Sequence, residues 1–318
     1  MGVSRAAVAR RIGPRLMARL ERRLRGWPRR VRVSLERYLP AGVLRGGGSV
    51  ARSSGPLWLQ LPAWLAAAHD AALGRTFVSD VQWGQYCLFL HVRIHDDLFD
   101  AHVTDPALIY VGDLLLVEAE RAFAKHLGHG PFWPFYRDAL ATTLTGILDA
   151  DTLQRRPRGL GRGDASVYAR VSSIFKVGAA AVCFQAGRRR DLTRVCRFLD
   201  HLAIASQVLD DLMDLRADRA DGRRNYVASA LARSARGLDA SVADMRRHLE
   251  AARVAITPLH LAQAEQHVRR QLRAVEVLEA GLHRMAVGEV FAPRVQNRRR
   301  ATSSRSSNSN PSTSSRAS

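Results

Sequence analysis

The chain has 318 residues, 47 % of them hydrophobic and 25 % charged, so it can bury a substantial core and is expected to be globular. Its net charge of +20 would ordinarily indicate nucleic-acid binding, but that charge lies at the ends. Residues 1–55 hold 14 arginines and two glutamates, and residues 292–318 hold six arginines and no acidic residue. The remaining 29 basic and 27 acidic residues nearly balance, so no specific nucleic-acid partner is expected for the body of the protein.

The cysteine content and the hydropathy argue against several further classes of protein. Three cysteines without a CxxC pair fit neither a disulfide scaffold nor a zinc site, and they favour a reducing compartment. No run approaches the roughly 20 apolar residues that span a bilayer, and the basic N-terminus lacks the apolar run of a secretory signal. We therefore expect a soluble, cytoplasmic protein.

The first predicted element is a basic amphipathic helix over residues 3–25. Val8, Ile12, Leu16, Leu20 and Leu24 repeat at near-fourfold spacing, with arginines on the other faces. Such a helix would dock on the core or make a peripheral contact with an anionic membrane surface. A Gly-rich linker follows, so residues 1–55 are expected to form an N-terminal extension.

Residues 56–291 are predicted to form one all-α domain, a large helix bundle with a central apolar cavity. Nearly every long segment has helical periodicity, and no run alternates as a strand would. The predicted helices cover 57–73, 78–99, 106–127, 132–154, 165–187, 192–218, 226–254 and 258–287. The Ser-rich basic tail, residues 292–318, has almost nothing to bury and is expected to be disordered.

Two aspartate clusters in DDxxD spacing stand at the ends of long helical segments. The first contains Asp96, Asp97 and Asp100, and the second contains Asp210, Asp211 and Asp214 after Gln207. On a helix, the first and last aspartate of each cluster share a face, where like charges repel by a few tenths of a kcal/mol. Hard oxygen ligands so arranged suit Mg²⁺, which binds one or two carboxylates together with substrate phosphates. A single such cluster would more often be a solvated helix end.

With these motifs the chain resembles the class I isoprenoid synthases, and most closely the trans-polyprenyl diphosphate synthases. The resemblance covers roughly residues 57–254. It includes both aspartate-rich motifs, the segment Val111-Gly112-Asp113-Leu114-Leu115-Leu116, which is similar to the family's GDxLL helix, and Ile174-Phe175-Lys176-Val177-Gly178, which resembles its lysine segment.

The resemblance implies an Mg²⁺ cluster that bridges the two motifs to an allylic prenyl diphosphate. It assigns Asp96, Asp100 and Asp210 as principal ligands, with support from Asp97, Asp211 and Asp214. Lys176 would contact the diphosphate and Gln207 would help to position ions or substrate, while Arg223 and Arg224 would clamp the diphosphate when the site closes. The family also makes a homodimer a possible assembly. Candidates for the cavity wall are Phe89, Leu90, Phe99, Phe175 and Phe184.

One departure from the family leaves the reaction open. Chain-elongating members carry an arginine pair after the first motif for isopentenyl diphosphate, whereas here Ala101 to Asp105 lead directly into the next helix. A prenyltransferase and a class I terpene cyclase acting on one diphosphate therefore both remain possible. A third hypothesis is a non-catalytic protein that binds nucleic acid or membrane surfaces through its basic ends.

Overall fold

Helices make up the regular structure of the described residues, which are 12–39, 56–69, 73–156, 159–220, 225–234 and 236–285 of a computed structural model. We number the α-helices in chain order as α1 Ile12–Leu24, α2 Arg29–Tyr38, α3 Leu57–Ala68, α4 Arg75–Phe99, α5 Ala107–Leu127, α6 Phe132–Gln154, α7 Ser166–Val171, α8 Val177–Gln185, α9 Arg189–Met213, α10 Leu215–Ala220, α11 Tyr226–Arg233, α12 Gly237–Ile256 and α13 Ala262–Met285. Short 3₁₀ turns at Arg162–Ala165, Ser173–Lys176 and Thr257–Leu259 join some of them. Within these ranges there is no β-strand, so the predicted all-α class is confirmed.

The chain divides into a compact unit that extends to Glu279 and a second unit, Ala280–Ser318, of which residues 280–285 are described. No single helix among the described residues has the length and apolar character to cross a bilayer; by those two criteria alone the bent pair Arg162–Val171 and Ser173–Gln185 qualifies.

Helix α8 lies at the centre of the first unit. Its residues from Val177 to Cys183 are all buried, as expected for a helix that is apolar on every face. It packs against α3, α4, α6 and α9. Around this centre α4 packs along α5, and α9 packs along α12, so the two helices that carry the aspartate motifs both border the same buried helix.

Three predicted helices are broken in the structure. Residues 192–218 divide at Asp214, between α9 and α10, and the other two breaks are set by tertiary contacts. Residues 165–187 divide at the 3₁₀ turn Ser173–Lys176, where the Ile174 amide donates to Oγ1 of Thr143 on α6 at 2.9 Å instead of continuing the helix. Residues 226–254 divide before Gly237, where a Cβ atom would collide with the carbonyl of Ala230. In both cases a tertiary contact that leaves no local sequence signal decides the break.

The N-terminal helix α1 docks on the core. Leu16, Leu20 and Leu24 are buried, as their spacing predicted, and Arg19 forms a 2.8 Å ion pair with the buried carboxylate of Asp80 on α4. Lys125 and His126 on α5 also contact Asp80, at 3.0 and 2.7 Å. Of the two alternatives for this helix, docking is the one observed for residues 12–24; residues 3–11 lie outside the described part.

Candidate active site

The first aspartate motif lies at the C-terminal end of α4. The helix ends at Phe99, Asp100 caps it, and Ala101 turns the chain with a positive φ of 56°. The C-terminal end of a helix carries the negative pole of the helix dipole, so three carboxylates there repel both one another and the helix end. This arrangement is electrostatically unfavourable unless cations compensate it.

The central aspartate of this motif is already engaged with the protein. Asp97 is buried, accepts a 2.5 Å hydrogen bond from the Tyr38 hydroxyl on α2, and lies 2.7 Å from the Arg93 guanidinium. Asp96 and Asp100 are more accessible. Burial, and next the charge of Asp100, raise the pKa of Asp96 above its ordinary value, and the charge of Arg93 only partly opposes this rise.

The second motif repeats this division at the C-terminal end of α9. Asp211 is buried and accepts hydrogen bonds from the Gln207 amide at 3.0 Å, the Tyr168 hydroxyl at 3.0 Å and the Tyr226 backbone N–H at 2.8 Å. The side chain of Gln207 therefore orients Asp211.

Asp210 and Asp214 are exposed at the end of the same helix, and within the described residues neither carboxylate forms an ion pair. Burial, and next the charge of Asp214, raise the pKa of Asp210. Each motif thus holds one aspartate by hydrogen bonds with the protein and leaves two with at least one free oxygen atom each. In the first motif Asp96 also lies 3.5 Å from Arg93, and Asp100 lies 3.9 Å from His102. Carboxylate oxygens in excess of local cations are the donor set that fits Mg²⁺.

Lys176 is more buried than the outer aspartates of the two motifs. Its ammonium group is 2.5 Å from the carboxylate of Asp200 on α9 and 3.3 Å from Ser173 Oγ, and its side chain is 14 % exposed. Asp200 precedes Asp210 by ten residues, which is about 15 Å along a helix. A contact between Lys176 and a diphosphate held by Asp210 would therefore require Lys176 to leave Asp200.

Three partly exposed aromatic rings form a cluster near Phe89, on the N-terminal side of the first motif along α4. Trp58 on α3 lies 4.9 Å from Phe89 on α4 and 4.8 Å from Phe175, measured between ring centroids. Phe89 precedes Asp96 by seven residues, so the two share a face of α4 and are about 10 Å apart along it. Of the other candidates for the cavity wall, Leu90 is buried, Phe99 is 50 % exposed, and Phe184 packs on Phe132 and Phe135.

Arg223 and Arg224 lie outside the described residues, so their role stays a prediction. Asn225, which follows them in the sequence, is buried; its amide donates to the Asp211 carbonyl at 2.8 Å, and its Oδ1 caps α11 by accepting from Ala228. The Tyr226 hydroxyl donates to Asp244 on α12 at 2.5 Å. The end of the segment that follows the second motif is thus fixed to that motif.

Sequence reasoning did not find a basic pocket beside the first motif. It has a volume of about 880 Å³ and lies between α2 and residues 103–108, with Arg29, Arg30 and Arg37 in its wall. Tyr38, which bonds to Asp97, also lines it. One carboxylate, Asp105, faces these arginines; a hydrogen bond from Ser34 and then one from the Ala107 amide lower its pKa. The pocket could not be predicted from the sequence, because residues 1–55 are rich in arginine and no spacing distinguishes the arginines of the pocket from the others.

Several solved structures with a similar fold are prenyl diphosphate synthases. The geranylgeranyl pyrophosphate synthetase of the archaeon Geoglobus acetivorans superposes with a TM-score of 0.68 at 14 % identity, over 85 % of this chain and 99 % of that one. A decaprenyl diphosphate synthase from Rhodobacter capsulatus gives 0.67 at 16 % identity, over 85 % and 98 %. A polyprenyl synthase from Caulobacter crescentus, complexed with calcium and isoprenyl diphosphate, gives 0.62 at 15 % identity, over 84 % and 97 %.

No protein-family model and no curated protein matches the sequence. The chain has the fold of the isoprenoid synthases, and the resemblance predicted from its motifs is confirmed at the level of the fold.

Proposed function

We propose that the protein is a magnesium-dependent, prenyl diphosphate synthase-like transferase that ionises an allylic prenyl diphosphate. The observation that carries the proposal is the matched division within the two motifs, where Asp97 and Asp211 are held by the protein and the outer aspartates keep free oxygen atoms. A purely structural role would not require four further carboxylates at the negative ends of two helices.

In this proposal Asp96, Asp100, Asp210 and Asp214 hold the ions, and Asp97 and Asp211 fix the helix ends that present them. Bound Mg²⁺ would neutralise the charge that develops on the departing diphosphate. Trp58, Phe89 and Phe175 would contact the prenyl chain, because Phe89 lies on the same face of α4 as Asp96, about 10 Å along the helix, and the other two rings pack on Phe89. Their rings exclude water from the allylic cation and offer their faces to its charge.

The basic pocket favours a transferase over a cyclase. A transferase needs cationic groups for a second diphosphate, and the arginine pair that serves this purpose in the resembled family is missing after Asp100. Arg30 and Arg37 on α2 would supply that charge from the N-terminal side, next to the Tyr38–Asp97 hydrogen bond. A cyclase, with one diphosphate substrate, has no use for this pocket.

The test is product analysis with the purified full chain, Mg²⁺ and farnesyl or geranylgeranyl diphosphate, with and without isopentenyl diphosphate. We expect a longer prenyl diphosphate only when isopentenyl diphosphate is present, and loss of it with Asp96→Asn or Asp210→Asn. Asp138→Asn, an exposed aspartate on α6, is the matched control and should keep full activity. A hydrocarbon or alcohol formed from one substrate would show a cyclase instead.

Absence of turnover with every allylic substrate would favour the non-catalytic hypothesis. Salt-dependent binding to anionic vesicles or DNA should then weaken when residues 1–11 and 286–318, which hold nine arginines, are removed. Residues 12–39 must be kept in that experiment, because α1 and α2 pack on the core.

A further inference from the structure

Apart from the aspartate motifs, a cluster of side chains with metal-ligating atoms lies between α4 and α5. It consists of His91 and His95 on α4 and Asp113 on α5, whose candidate ligand atoms all lie within 4.8 Å of one another. On an ideal helix Asp96 projects about 100° away from His95, and Asp100 projects about 180° away from His91. The cluster therefore faces α5, on a different side of α4 from the outer aspartates of the first motif.

The backbone orients both imidazole rings in the same way. Nδ1 of His91 lies 3.0 Å from the carbonyl oxygen of Gly112, and Nδ1 of His95 lies 2.9 Å from the carbonyl oxygen of His91. A carbonyl oxygen only accepts hydrogen bonds, so each Nδ1 carries the proton and donates. In a neutral ring this leaves the lone pair on Nε2, and a histidine that donates its other N–H to a carbonyl is the usual form of a metal ligand.

Gly112 makes room for this arrangement. A Cβ atom at position 112 would collide with Cε1 and Nδ1 of His95, so only glycine lets the imidazole lie against the backbone of α5. The next residue, Asp113, is exposed and supplies the carboxylate. The Gly112-Asp113 pair thus has a local function in this chain, because the glycine admits one ligand and the aspartate provides another.

We infer that His91 Nε2, His95 Nε2 and an Asp113 carboxylate oxygen bind one transition-metal ion of the Zn²⁺ type. Two imidazole nitrogens and one carboxylate suit Zn²⁺ and its first-row neighbours, whereas Mg²⁺ and Ca²⁺ prefer an all-oxygen set. Ligands at about 2.0–2.1 Å from a tetrahedral ion lie about 3.3 Å apart, so side-chain rotation must bring the three ligand atoms closer together. A fourth position is left to water.

The ion would fasten α4 to α5 directly before the first aspartate motif, since His95 precedes Asp96 in the chain. Its role is to position the end of α4, and it takes no part in the chemistry proposed above. The inference does not depend on the proposed function, because metal binding is measured without a prenyl substrate.

The test uses the full-length protein, stripped with a chelator and reloaded with Zn²⁺ or Co²⁺ in excess Mg²⁺. We expect one Zn²⁺ per chain by elemental mass spectrometry and an intense visible Co²⁺ absorption of the four-coordinate type. Asp113→Asn, at an exposed position that should not affect folding, and His95→Gln should each weaken Zn²⁺ binding on the order of 10-fold or more. His248→Gln, which removes a histidine that contacts His201 instead, is the matched control and should leave binding unchanged.

Two results would overturn the inference. The first is a reloaded protein that retains no stoichiometric Zn²⁺. The second is Zn²⁺ binding that Asp96→Asn or Asp210→Asn abolishes and Asp113→Asn leaves intact, because the ion would then occupy the aspartate motifs.

Discussion

The hydroxyl of Tyr38 donates a 2.5 Å hydrogen bond to Oδ2 of Asp97, across 59 residues of sequence. It joins helix α2, in the arginine-rich N-terminal region, to the buried central aspartate of the first motif. Burial of Tyr38, and next this hydrogen bond, raise the pKa of its phenol, so the proton stays on the tyrosine.

Tyr38→Phe should therefore destabilise the protein and loosen the first motif. A hydrogen bond to a charged group contributes about 1.5–3 kcal/mol, and its loss leaves Asp97 with Arg93 as its main partner. Urea denaturation should show this loss, and the Mg²⁺ concentration for half-maximal turnover should rise. An unfolding free energy unchanged from the wild type would show that Arg93 alone holds Asp97.

Removing an outer aspartate should stabilise the metal-free protein and reduce its stabilisation by ligand. Asp210→Asn removes a like-charge pair with Asp214, which is worth about 0.2–0.5 kcal/mol. Thermal unfolding should show a slightly higher Tm without ligand, and a smaller rise than the wild type when Mg²⁺ and inorganic diphosphate are added. If Asp210→Asn keeps the full ligand-induced rise, the assignment of Asp210 as a metal ligand is wrong.

The proposed contact of Lys176 with the diphosphate can be tested by comparing variants of Lys176 and of its ion-pair partner Asp200. If it contacts the diphosphate during turnover, Lys176→Gln should lower kcat/KM by on the order of 10-fold, because a charge-assisted contact is lost. Asp200→Asn, which frees Lys176 from its ion pair, should then be nearly neutral. Equal losses of stability in both variants, with kcat/KM retained in the folded fraction, would instead identify the pair as structural.

The aromatic cluster should limit the length of the prenyl chain. Phe89→Ala opens space between Trp58 and Phe175, about 10 Å below Asp96. We expect the product distribution, measured by liquid chromatography and mass spectrometry, to move to longer chains. Phe135→Ala removes a ring that packs on Phe184 and is the control. The same products from both variants would place the end of the cavity elsewhere.

The stability of the α9–α12 region should depend on acid pH through Asp244. Burial opposes its ionisation, but hydrogen bonds from Arg162 and Tyr226 and the charge of Arg247 outweigh burial and lower its pKa. A lowered pKa in the folded state adds stability above the unfolded pKa of about 3.9, and that stability is lost as the pH falls through the folded pKa.

Asp244→Asn should consequently cost at least about 2 kcal/mol near pH 7 and progressively less below about pH 4. Urea denaturation at the two pH values checks this. Asp149→Asn, which breaks an exposed pair with Arg170, is the control and should cost less than about 1 kcal/mol. A penalty for Asp244→Asn that does not depend on pH would mean that packing, rather than charge, accounts for it.

The ends of a helix were predictable from the sequence where a residue next to the helix, such as a proline, marks its end. Pro131 precedes a helix whose predicted bounds, 132–154, agree with α6, and the helix before the first motif ends at Phe99 as expected. The breaks at Ser173–Lys176 and before Gly237 were not predictable, because Thr143 and Ala230 act on them through tertiary contacts.

The candidate site follows the same rule. The spacing of the aspartates indicated which of them share a helix face. The sequence did not show that Tyr38 would form a hydrogen bond with Asp97, or that Lys176 would form an ion pair with Asp200. These partners are far apart in the sequence, and the sequence alone does not show that they are close in space. The sequence raised His91 and His95 as possible metal neighbours, but it did not show that Asp113 lies beside them.

The scarcity of lysine has a practical consequence for labelling. Besides the N-terminal amine, the sequence offers amine-reactive reagents only Lys125 and Lys176, and their side chains are 60 % and 14 % exposed. A fluorophore ester would therefore attach to Lys125 in preference to Lys176. Because Lys125 shares Asp80 with Arg19, acylating it removes a positive charge from the site where α1 is anchored. Attachment through the thiol of Cys196, the cysteine that is not fully buried, would spare that anchor.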